Sequence, residues 1–134
     1  MMLTLAALVD WLPTVDPELI NLVAAGAIDG NQEKYVGIYN ASSQGQQRIC
    51  LGGLDCTRYA EKSITILIHW TNSATAAEEK AQALYMTLQN INGGQIDNIP
   101  IVSLNLGGGP IPVGRDVKGI YEYVINARIL YERI

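Results

Sequence analysis

Cysteine, histidine and basic residues are all scarce in this chain of 134 residues. Cys50 and Cys56 are separated by Leu51 to Asp55, which is neither a CxxC redox pair nor a usual zinc spacing. The single histidine, His69, brings the Cys and His ligand set to three at most, short of a closed structural zinc site. Ordinary reduced thiols are expected, with no metal and no cofactor. Lys and Arg total 9 against 13 Asp and Glu, giving a formal net charge of -4. Without a basic surplus the chain has little to neutralise phosphates or to hold an anionic membrane, which argues against specific DNA binding. The tyrosines are not interleaved with Arg and Lys as a single-strand platform requires. Long apolar runs are missing as well. The stretch from Met1 to Leu12 has no basic flank, contains Asp10 and meets Pro13 well short of a membrane span.

Catalytic motifs are equally sparse. There is no GxSxG elbow, and His69 stands in a β-patterned stretch that accounts for it as a packed histidine. The glycine run ends in Gly114, Arg115 and Asp116, not in the Gly-Lys-Ser/Thr that a phosphate-cradling loop needs before its helix. Glu78 and Glu79 are explained by helix initiation, and Asp116 and Glu122 by a solvated loop and a strand face. An enzyme is not expected.

What the chain does contain is a core. Hydrophobic residues make up 49%, enough for one domain spanning 1–134. Thr4 is a competent N-cap for a helix carrying Leu5, Leu8, Val9 and Leu12, which Pro13 is expected to end. Leu19 to Ile28 reads as either helix or strand. If Leu22 to Ile28 is extended, the turn at Asp29 to Gln32 would pair it as a hairpin with Tyr35 to Asn40. A second hairpin is expected between Tyr35–Asn40 and Gln47–Leu51.

Ile64, Ile66, Ile68 and Trp70 alternate with more polar residues and predict a core strand. Thr75 and Glu78 have the spacing of a capping box. The stripe Ala77, Ala81, Leu84, Leu88 and Ile91 predicts a helix that must pack on a sheet, with Gly93 and Gly94 beyond its end. Strands follow at Ile101–Leu106 and from Gly119 onward, where Tyr121, Tyr123, Ile125, Ala127, Ile129 and Tyr131 share one face. The fold class is therefore α+β, a mainly antiparallel sheet with a helix packed across one face. Between the last two strands, Gly107, Gly108, Gly109, Pro110, Ile111, Pro112, Val113 and Gly114 are too rich in Gly and Pro to predict a regular element, yet too apolar for a plain solvated loop.

Two stretches carry a resemblance. GGGPIPVGRDVKGIYEYVINARILYERI, from Gly107 to Ile134, and AIDGNQEKYVGIYN, from Ala27 to Asn40, resemble the small minor capsid proteins of tailed bacteriophages that are similar to tail terminators. The likeness extends over most of the chain from about Leu22 onward. It implies a tail-terminator-like fold and a structural virion protein of the neck, assembled in the host cytoplasm as a ring, a hexamer. Such a ring stops tail-tube polymerisation, joins tail to head, and has the tail-tube and connector proteins as partners, with DNA only passing through its lumen. A closed ring reuses one heterologous contact, so one surface needs an apolar protrusion. The loop with Gly107, Gly108, Gly109, Pro110, Ile111, Pro112 and Val113 offers it, and Arg115 and Asp116 are positioned to fix its register. The alternatives are another neck component, a head-completion or connector protein, or a small ligand-binding domain using this loop as a lid.

Overall fold

The computed structural model describes residues 3–26, 32–41, 51–53, 58–91 and 93–133. The first helix, α1 (Leu5–Val15), begins where the Thr4 hydroxyl accepts a hydrogen bond from the Ala7 N–H at 3.2 Å. Its Leu8 and Leu12 are buried. Pro13 does not end the helix but lies inside its last turn. Proline there removes only the bond to the Val9 carbonyl, and the Asp16 N–H still reaches the Leu12 carbonyl at 3.1 Å. Asp16 then caps a 3₁₀ turn, Pro17–Leu19, by accepting from the Glu18 N–H.

β1 (Val23–Ala25) pairs with β2 (Lys34–Asn40), but in parallel, with Val23 opposite Val36. The hairpin expected from the turn residues is therefore not formed. A turn signature marks a local change of direction, not the side from which the next strand will be approached. The sense of β2 is decided by β3 (Tyr59–Trp70), which it meets antiparallel over its whole length, from Lys34 opposite Trp70 to Asn40 opposite Ile64. Both edges of β2 at Val36–Ile38 are thus occupied. Of the other expected hairpin arm, Gln47 to Cys50 lie outside the described residues and Leu51 is exposed.

The predicted alternation in β3 holds, with Ile64, Ile66, Ile68 and Trp70 all buried. α2 (Ala74–Gln89) starts earlier than the capping-box spacing implied. Ser73, not Thr75, accepts from the Ala76 N–H, and the Ser73 N–H is itself held by the Thr71 hydroxyl. Thr71 adopts φ 44, which turns the chain sharply out of β3 and makes Ser73 the first residue free to cap. Ala77, Ala81, Leu84 and Leu88 form the buried stripe, against β3 and two strands that follow. Lys80 lies beside that stripe with little exposure. Its ammonium meets Asp16 at 2.7 Å and Glu18 at 2.6 Å and sits over the Trp70 ring, tying α2 to the exit of α1.

β4 (Gln95–Ile96) and β5 (Ile99–Leu106) form a hairpin through Asp97 and Asn98, at φ 51 and 62. Two successive left-handed residues match the twist of a tight hairpin. β6 (Ile111–Arg115) is a strand where an irregular connection was expected, and β7 (Tyr121–Glu132) closes the described chain. The strand order is β1-β2-β3-β7-β5-β4, with β6 also on β7. Only β1 and β2 run parallel among these pairs. The fold is α+β, as expected, with α2 laid across β3, β7 and β5 while α1 packs toward β1, β2 and β4.

On β7 the predicted inner face is largely correct, since Ile125, Ala127, Ile129 and Tyr131 are buried, whereas Tyr123 is only half-buried. Tyr131→Ala should therefore destabilise the protein by about 3 to 5 kcal/mol in urea denaturation, as for other aromatics deleted from a core. Tyr123→Ala should cost clearly less, and equal losses at the two positions would contradict this burial.

Candidate functional site

The Gly- and Pro-rich segment forms a single edge along β7. β5 leaves β7 with Leu106 opposite Ala127, and β6 resumes with Ile111 opposite Val124, so residues 107–110 face only Ile125 and Asn126. The excess chain bulges outward. It is pinned at its start by the Gly107 N–H on the Asn126 carbonyl at 2.8 Å and by the Tyr85 hydroxyl of α2 on the Gly107 carbonyl. Gly109 takes φ 120 there, a conformation that side chains rarely adopt.

A second irregularity falls within β6. Pro112 lies opposite Tyr123 and Gly114 opposite Glu122, leaving Val113 as the bulged residue. Gly114 takes φ 127 to make that step. All of β6 is exposed, with Ile111 and Val113 at 50% and 56%. Among the described residues its outer edge pairs with no other strand. Pro112 brings no N–H to it. The Arg115 guanidinium lies over the Tyr121 ring, 5.7 Å from its centre.

Asp116 turns inward. Its Oδ2 is 2.8 Å from Nε2 of His69, and its Oδ1 accepts from the backbone N–H groups of Lys118 and Ile120, each at 2.9 Å. The Asp116 N–H donates to the Ile120 carbonyl. These bonds shape the turn from β6 into β7. The His69 hydrogen bond, reinforced by the Ile120 and Lys118 amides, holds the Asp116 carboxyl below its ordinary value of 3.8. The carboxylate is thus committed within the chain, whereas the sequence suggested an outward role in register. Sequence reasoning accounted for His69 as a packed residue but could not pair it with a partner 47 positions away.

His69 is buried, and its Nδ1 has no hydrogen-bond partner among the described residues. A Ser-His-Asp arrangement needs a nucleophile on the ring nitrogen that does not face the carboxylate, and among the described residues none is there. A cavity of about 220 Å³ lies elsewhere, bounded by Trp11, Val15, Ile91, Ile96, Leu104 and Ile129 among others. None of residues 107–116 lines it, so the segment does not act as its lid. Among the described residues no three His, Cys, Asp or Glu side chains are grouped to hold a metal ion. Cys50 and Cys56 lie outside them. No helix among the described residues is long and apolar enough to cross a membrane.

What is assembled here is an exposed edge strand on a mixed sheet. The family is given by comparison: a family model for the bacteriophage tail terminator protein matches residues 3–133, and this chain belongs to that family. It is accordingly a structural protein of the phage tail. No curated protein matches the sequence. Six chains among solved structures are similar. One of them is 16% identical, with a TM-score of 0.48, over 95% of this chain and 87% of its own.

The carboxylate makes acid stability a test of the geometry. A carboxyl lowered by folding contributes stability above its unfolded value, near 3.8, and that contribution is lost as pH falls through the lower folded value. Wild type should be more stable than Asp116→Asn at neutral pH, and the gap should close below about pH 4 in denaturant titrations. A gap independent of pH would show that the ionised carboxylate is not what matters.

Proposed function

We propose that this protein acts as one unit in a closed hexameric ring at the neck of the virion, where it ends tail-tube growth and joins the finished tail to the head. The observation that carries the reading is membership of the tail terminator family over residues 3–133. Structural support comes from the β6 edge. A ring needs a repeated heterologous contact, and β6 presents Ile111 and Val113 to solvent on a strand stiffened by Pro112. Pro112 and the bulge at Val113 also discourage open-ended strand pairing, which favours a contact made by side chains.

The interface on this reading comprises residues 107–113 with Arg115, and Asp116 supports it from behind. Its further partners are the tail-tube protein on one side and connector proteins on the other. DNA passes through the lumen without specific binding, in keeping with a net charge of -4.

Ile111→Asp should weaken self-association by at least about tenfold while leaving the thermal transition unchanged, because an unpaired charge at an interface is costly and one on a solvated strand is not. Sedimentation of the purified protein measures the first and calorimetry the second. Mixed with its tail-tube protein, wild type should form rings on one end of tubes of limited length in electron micrographs. Tubes that grow without limit beside unattached protein would overturn the terminator reading and favour a connector on the head side.

A further inference from the structure

The side chains of β6 add little to hold it in place beyond the Arg115 guanidinium on the Tyr121 ring. All five positions of Ile111–Arg115 are exposed, Pro112 brings no donor, and the ladder to β7 skips Val113. Besides this short, interrupted ladder, its attachment rests on the two ends. At the first, the Tyr85 hydroxyl and the Asn126 carbonyl grip Gly107. At the second, Asp116 gathers the turn by accepting from Lys118 and Ile120, and its remaining oxygen meets His69. His69 belongs to β3, inside the sheet, and is 1% exposed. Together with the Tyr121 N–H on the Thr71 carbonyl, it connects the end of an exposed strand to the interior of the sheet.

The choice of residue is informative. An ionised carboxylate only accepts, so Nε2 must be the donor, and in the neutral ring Nδ1 is then left as a bare acceptor. That nitrogen is buried without a partner. Leaving a buried polar atom unsatisfied is unfavourable, and an apolar side chain at position 69 would have avoided it. The neighbours of His69 across the ladder are Tyr35 on β2 and Glu122 on β7, and its ring bonds to neither but to Asp116.

We propose that His69 and Asp116 are a positioning pair that fixes the projection of β6, holding Ile111 and Val113 where a second copy of this chain can receive them. This rests on the reading of β6 as the ring contact, and the two ideas separate experimentally. The pair acts through the strand and does not touch the partner itself.

Amide hydrogen exchange of the full chain is the direct readout, compared among wild type, His69→Leu, His69→Gln and Asp116→Asn. His69→Leu should lower protection across residues 111–120 by about tenfold or more while α2 and the core of β3 stay protected. The Gln amide can donate from nearly the same position as Nε2, so His69→Gln should restore most of that protection, which a loss of core packing alone would not explain. Asp116→Asn keeps an acceptor for the Lys118 and Ile120 amides and sets an N–H against Nε2, a bond the ring can accept only by moving its own proton to the buried Nδ1. It should behave like His69→Leu, and it decides the matter if the leucine variant does not fold. Unchanged protection at 111–120 in Asp116→Asn overturns the pair. Lost protection accompanied by weaker self-association supports the whole proposal. Lost protection with self-association unchanged keeps the pair as the anchor of β6 but removes β6 from the contact between copies.

Discussion

The ladder between β3 and β7 is the constraint on which the rest of the structure depends. It runs from Tyr59 opposite Glu132 to His69 opposite Glu122 without a break in register. Because strand side chains alternate, that register determines which residues of both strands face α2 and which face away. Ile64, Ile66 and Ile68 thus share a layer with Ile125 and Ala127, and a slip of one residue would bring Ser63, Thr65, Asn126 and Arg128 into that buried layer. β2 reads its direction from one side of this pair, and β5 and β6 lie along the other.

Much of this was legible in the sequence because periodicity survives packing. The Ile64–Trp70 alternation, the Ala77–Leu88 stripe and the inner face of β7 all reappear as buried surfaces. Other features failed for identifiable reasons. Proline was given the weight it has in mid-helix, but Pro13 occupies the last turn. Thr75 and Glu78 had the spacing of a cap, yet a left-handed Thr71 delivered Ser73 first. The hairpin through Asp97 and Asn98 lacks the glycine that makes such turns conspicuous. Parallel pairing of β1 is a tertiary outcome that no local pattern records.

The Gly- and Pro-rich segment reads in the sequence as an irregular connection, yet Ile111–Arg115 form a strand. Gly and Pro counted against a regular element, but an edge strand with one free side tolerates both. Its glycines serve at Gly109 and Gly114, where the two bulges need positive φ. The part that could not be read was the anchoring from behind. Tyr85 and His69 lie on elements remote in sequence from residues 107–116, and only the fold brings them to the two ends of β6.

The position of β7 in the chain has a consequence for how the protein is made. Its partners on both sides, β3 and the β5–β6 edge, precede it in sequence. During synthesis they leave the ribosome before the strand that joins them exists. Contacts between residues so far apart are slow to form, because a long loop must close before any pairing rewards it. The part of the β3 and α2 faces that packs on β7 is therefore uncovered until residues 121–132 emerge. Once β7 is in place, an edge as short and proline-interrupted as β6 offers neighbouring chains little to pair with.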